Sequence, residues 1–249
     1  MHLISKEGPS RLKALIVYDG SETPLKSFYR EDGLRMKKNL KVIAKHTKLA
    51  LTIQSIKASQ LSHAMLQAWV TGISPSDTVV FYYAGKPSYV SNDQWPSLGF
   101  SCGEAPLSQT QLLAQIKQKE PHLILSLFDC YSKILEKRWR FRNEAPSRRL
   151  IDKKAMIRLF VKYSGLISGC SANPGEASVA IRDRSIRGGL FSLGIHDYFQ
   201  AFRGMESDWS GFRCRVESIC LGQSHQTQHP LMQIDVIPPK AHHVVTKRG

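Results

Sequence analysis

Thr78-Val79-Val80-Phe81-Tyr82-Tyr83-Ala84 runs without a break into Gly85-Lys86-Pro87. A run of β-forming residues with no polar–apolar alternation describes a strand covered on both faces, as in a parallel sheet held between helices. Leu123 to Phe128, interrupted only by Ser126, repeats the pattern and leads into Asp129-Cys130-Tyr131-Ser132. Outward from these two, Lys13 to Tyr18, Leu49 to Ile56, Gly165 to Cys170 and Leu231 to Val236 read as further strands. Segments of helical spacing lie between them. Phe28 to Lys45 carries apolar Leu34, Leu40, Ile43 and Ala44, Leu61 to Val70 stops at Gly72, and Ser108 to Lys119 ends before Pro121. A helix around Ile151 to Lys162 follows, then Leu190 to Phe202 and Trp209 to Leu221. Strands separated by helices predict an α/β chain: a three-layer α/β/α sandwich on a mostly parallel sheet of about six strands. No repeat or compositional break divides it, so one domain over 1–249 is expected. In such sheets function gathers at the carboxyl ends of strands, where Gly85-Lys86 and Asp129-Cys130-Tyr131 stand.

A chain of 249 residues, 42% hydrophobic and 22% charged, has the composition of a soluble globular domain with a full core. Its apolar runs are of strand length, far below the roughly 20 residues of a membrane helix, so no transmembrane segment is expected. Met1 to Arg11 holds Lys6, Glu7 and Pro9 and no apolar core, unlike a cleaved secretory signal. Five cysteines, with neither CxxC nor metal-ligand spacing, point to reduced thiols, no metal and a cytoplasmic setting. Secretion by a route without a cleaved signal stays open. No cofactor motif is present. The net charge of +15 predicts attraction to anionic partners, whether nucleic acid, acidic membrane or acidic protein.

The order of these segments resembles the caspase and metacaspase family, its bacterial branch above all. Ala14-Leu15-Ile16-Val17 is similar to the opening strand of that family, and Val42 to Thr47 to the end of its first helix. Asp77 to Gly85 resembles the strand that usually ends in Tyr-Ser-Gly-His-Gly, and Ile116 to Asp129 the helix and strand leading to the nucleophile. Ser168 to Ala177, Gly188-Gly189-Leu190-Phe191-Ser192 and Gln226 to Pro230 are similar to parts of the small subunit. The resemblance implies a large-subunit-like part over 12–132, a linker over 133–154, a small-subunit-like part over 155–240 and a basic tail over 241–249.

The family's chemistry needs a thiolate, an imidazole that moves its protons and backbone N–H groups for the oxyanion. By the resemblance, Lys86 stands at the histidine position and Pro87 at the next glycine. Lysine keeps its proton at neutral pH unless strongly desolvated, so it is a poor base, and proline lacks the backbone donor. Two registers are open at the nucleophile. Matching Asp129-Cys130-Tyr131-Ser132 to Asp-Cys-Cys-Asn puts Tyr131 there and needs no slip within a strand. A shift of one residue instead makes Cys130 the nucleophile; read without the resemblance, Cys130 is a small buried hydrophobe. His63, His122 and His229 do not follow the strand that delivers the base. The acid before the nucleophile helps hold a basic side chain in metacaspases, which implies a peptide site of Asp129 and Gly85 with Ser168 and Cys170 as neighbours. Asp129 could equally cap a turn or pair with Lys86.

Between the two parts, Lys137, Arg138, Arg140, Arg142, Arg148 and Arg149 interleave with Trp139 and Phe141. Basic and aromatic residues together suit RNA or an anionic bilayer, and an exposed basic loop is a nicking site for trypsin-like enzymes. Three functions are therefore expected in order: a non-catalytic pseudoprotease that binds peptide or protein partners, an active cysteine endopeptidase using Cys130, and an anion-binding module using the linker.

Overall fold

The structure is a computed structural model that describes residues 8–21, 23–86, 88–89, 93–100, 104–136, 152–183, 186–200 and 208–239. The two β-forming runs without alternation are β3 (Asp77–Gly85) and β6 (Leu123–Cys130), buried along their whole length. They pair in parallel at the centre of the sheet, with Ala84 opposite Asp129 and Gly85 opposite Cys130. β1 (Arg11–Tyr18) and β2 (Ala50–Lys57) extend the sheet on one side, β8 (Ser164–Cys170) and β11 (Leu231–Ile237) on the other. The six-stranded order is β11-β8-β6-β3-β1-β2, parallel throughout except that β11 runs antiparallel to β8.

Helices cover both faces, completing a three-layer α/β/α sandwich. On one face lie α1 (Lys26–Thr47), α4 (Lys153–Ile157) with a π turn (Arg158–Lys162), α5 (Leu190–Gln200) and α6 (Trp209–Ser224). On the other lie α2 (His63–Thr71) and α3 (Gln109–Lys117). Ser108 and Gln111 start α3 by exchanging side-chain and backbone bonds, and Asp208 caps α6 through the Gly211 N–H at 2.8 Å. The sheet's lower end is tied by Asp77 at the start of β3, which takes Arg11 Nε at 2.7 Å and Arg11 Nη2 at 2.6 Å.

Several expectations shift by local detail. The buried stripe of α1 is Phe28, Tyr29, Asp32, Gly33, Met36, Asn39, Leu40, Ile43 and Thr47, and Leu34 falls off that stripe and stands exposed. The helical segment from Trp209 runs past Leu221 to Ser224, and the one from Leu190 stops at Gln200 among the described residues. A small sheet of β7 (Lys133–Glu136), β9 (Val179–Arg182) and β10 (Arg187–Gly189) escaped the sequence reading, its strands being too short to show a period. A two-residue pair, β4 (Ser97–Leu98) with β5 (Leu107–Ser108), sits in the loop after β3. The linker thus opens as β7 and closes as α4, while Lys137, Arg138, Arg140, Arg142, Arg148 and Arg149 lie outside the described residues.

Candidate functional site

Because β3 and β6 are parallel neighbours, their carboxyl ends bring Gly85-Lys86 beside Asp129-Cys130-Tyr131. The Tyr131 N–H donates to the Gly85 carbonyl at 3.2 Å, which joins the two ends directly. Side chains alternate along β6, so Asp129 and Tyr131 face α1 and α5 while Cys130 faces the α2–α3 layer.

On the α1 face the polar groups form one buried cluster. The Tyr131 hydroxyl donates to Asp32 Oδ2 at 2.6 Å, and the Tyr29 hydroxyl donates to the Tyr131 carbonyl at 2.7 Å. The two rings pack with centroids 4.7 Å apart. Asp32 also accepts from Arg35, from the Ser192 hydroxyl and from the Gly189 N–H at 3.0 Å. Asp129 accepts at Oδ2 from the Ser192 N–H at 3.1 Å and the Tyr82 hydroxyl at 3.3 Å, and its Oδ1 has no partner. Both carboxyls are 0% exposed.

Gly188 and Gly189 close over this pair. A Cβ on Gly189 would lie 2.5 Å from Asp129 Oδ2, and one on Gly188 would collide with Asp32 Oδ1. Gly188 also takes φ +140, which side chains disfavour. Burial pushes both carboxyls up. For Asp32, Arg35, Ser192, Tyr131 and Gly189 pull against that rise; for Asp129, Ser192, Arg35 and Tyr82 do so too, but burial and then the charge of Asp32 leave it well above the carboxylate range. The arrangement therefore favours a proton on Asp129 beside a charged Asp32. Burial, then Asp32, likewise lifts the Tyr131 phenol well above its ordinary value, so the hydroxyl stays a donor.

Two expected contacts are corrected. Asp129 does not pair with Lys86, which is exposed and meets the Tyr83 hydroxyl only through its carbonyl at 3.4 Å. Nor are Ser168 and Cys170 its neighbours, because residues of that parity on β8 face the α2–α3 layer, as Leu166 and Cys170 do. Cys170 belongs instead with Cys130. Both thiols are buried; burial and then Cys170 push Cys130 well up, and burial lifts Cys170 to about 12. Gly85 is packed so closely that a Cβ there would strike the Tyr83 ring.

The strand-end amides are committed. Besides Tyr131, the Cys130 N–H donates to Ser171 Oγ at 3.0 Å and the Ser132 N–H to the Ser178 carbonyl at 3.4 Å. The three successive N–H groups at the β6 end are therefore not available to a developing oxyanion. Four of the described histidines are placed elsewhere: His63 bonds the Ala105 carbonyl, His229 Glu176 and His196 Asn39, while His122 sits at the opposite end of β6. Burial, with Arg35 and Lys38, lowers His196 to about 4, so its ring is neutral.

Sequence reasoning missed Asp32, Arg35 and Ser192. Asp32 had a visible signal, a carboxylate spaced four residues from both Phe28 and Met36 on a buried stripe. Among the described residues no group of three or more His, Cys, Asp and Glu is placed to hold a metal, and no helix is long and apolar enough to cross a membrane. No protein-family model matches this chain, and no curated protein matches it.

Proposed function

We propose that the chain is a caspase-like protein without peptidase chemistry, a pseudoprotease that works by binding a peptide or protein partner. One observation carries the reading: where the resemblance calls for a thiol, a phenol is bonded to buried Asp32, and the Cys130, Tyr131 and Ser132 N–H groups around it are already used. Lys86 at the neighbouring strand end supplies no imidazole, and the parallel β3–β6 pair supports the resemblance in layout.

The alternative, an active caspase- or metacaspase-like endopeptidase using Cys130, fares worse on geometry. Its thiol is 4% exposed, held protonated by burial, and turned to the opposite face of the sheet from Asp129 and Tyr131. Recognition of a basic side chain by Asp129 is also disfavoured, since Gly189 and Ser192 seal that carboxyl. Anion binding through the linker rests on the net charge of +15. The free thiols at Cys130, Cys170, Cys214 and Cys220 support a reducing, cytoplasmic setting.

The test is incubation with a mixed peptide library, read by mass spectrometry, for the parent and Cys130→Ala. Both should leave the library uncut, and the immobilised parent should retain a subset of intact peptides. Cleavage by the parent that disappears in Cys130→Ala would move the nucleophile to Cys130 and end the pseudoprotease reading.

A further inference from the structure

Away from the strand ends, a groove of about 370 Å³ lies at the β2 edge of the sheet, lined by Lys13, Thr52, Gln54, Met65, Ala68 and Trp69. Lys13 and Thr52 are register partners on β1 and β2. The Lys13 side chain is only 7% exposed, and its Nζ stands 5.8 Å from the centroid of the Trp69 ring. It fits because residue 72, at the end of α2, is glycine: a Cβ there would lie 2.6 Å from Nζ.

Lys13 is largely covered, and its ammonium opens onto the groove, so an anionic group placed there would find a cation already partly stripped of water. The carboxylate that acts on Lys13, Asp77, is already taken by Arg11 at 2.6 and 2.7 Å and by the Ser74 N–H at 2.8 Å. Among the described residues no acceptor bonds the Lys13 ammonium, which keeps only the Trp69 ring face and the carboxyl end of α2. Beside it, β2 is the terminal strand of the sheet, so its outer edge has no partner strand among the described residues. Thr52 and Gln54 are exposed on the groove side of that strand, and Lys48 and Lys57 stand exposed at its two ends.

We propose that this groove receives an acidic segment of a partner protein, laid extended along the free edge of β2 with one Glu or Asp carboxylate on the Lys13 ammonium. An added strand takes its affinity from main-chain bonds to the edge and its selectivity from alternate side chains. Here those side chains meet a cation with no bonded acceptor and an apolar wall of Met65 and Trp69. The chain's net charge of +15 attracts the same partner from a distance. The groove shares no residue with the strand-end site, so either reading can fail while the other stands.

The test is fluorescence anisotropy with a fluorescein-labelled octapeptide alternating Glu with Val and Thr, beside the same peptide with Gln for Glu. Full-length parent, Lys13→Met and Thr52→Glu are compared, with circular dichroism to verify folding. The parent should bind the Glu peptide saturably, and roughly ten-fold more weakly after either the Glu-to-Gln change or either substitution. If Lys13→Met does not fold, exposed Thr52→Glu decides alone. Equal affinity for the Gln peptide, or unchanged binding by Thr52→Glu, overturns the proposal. So does displacement by free glutamate at the peptide's own concentration, or Lys13-dependent binding of an RNA oligonucleotide in place of the peptide.

Discussion

Asp129 and Asp32 share one buried chamber, yet their surroundings differ. Asp32 gathers Arg35, Ser192, Tyr131 and Gly189, whereas Asp129 has Ser192 and Tyr82 and one oxygen with nothing. The consequence at this scale is a pH dependence of definite sign. Asp129 titrates well above 3.8 when folded and near that value when unfolded. Between the two, the folded chain holds a proton that the unfolded chain has released, so this contribution is full at low pH and lost as pH rises through the folded value. Asp129→Asn removes the loss. Its stability relative to the parent, from urea unfolding midpoints, should rise with pH from about 4 upward, over the range between the unfolded and the folded values, by up to ~1.4 kcal/mol per unit. A difference that stays flat across that range would mean that Asp129 is ionised in the folded chain.

Among the elements, the clamp of Arg11 on Asp77 joins the starts of β1 and β3, and its pH sign is opposite. Burial works against the Asp77 carboxylate, but the bonds from Arg11 and Ser74 outweigh it and leave its pKa lowered. That stability is present above 3.8 and lost as pH falls through the lowered folded value. Asp77→Asn should cost about 1–2 kcal/mol at neutral pH, toward the low end because Arg11 is 35% exposed and screened. Urea unfolding at pH 7 and pH 3 should show the gap between parent and variant narrowing in acid. The elements themselves were legible: Thr78 to Ala84 and Leu123 to Phe128 are buried on both faces, and that constraint writes itself into composition. The small sheet was not, since three or four residues such as Arg187 to Gly189 carry no period. At the site, strand ends were legible but partners were not. Counting parity along β8 separates Ser168 and Cys170 from Asp129, whereas the approach of Ser192 to Asp32 spans 160 residues and leaves no local trace.

At the scale of the molecule, the parts before Lys137 and after Ile151 are bound by much more than the peptide chain. β6 pairs with β8, β7 pairs with β9, and Asp32 and Arg35 on α1 reach Gly189, Ser192 and the Arg187 carbonyl. Covalent continuity through 137–151 is therefore not what holds the fold. Fragments 1–144 and 145–249, refolded together, should co-elute at the size of the intact chain and regain its circular dichroism, while neither folds alone. Fragments that refold separately would show two independent units in place of one interlocked sheet.

Tyr131 has one more consequence, for reversibility over evolutionary time. On the proposed reading the phenol is more than a lost nucleophile, because its ring packs on Tyr29 and its hydroxyl bonds Asp32. Writing a cysteine back would empty the space of an aromatic ring and strip Asp32 of a donor, each a cost of about 1–3 kcal/mol or more. The new thiol would face an anion that opposes its ionisation. If the proposed reading holds, each single step back toward a thiol would lower stability before any chemistry returns, and the change would work as a ratchet.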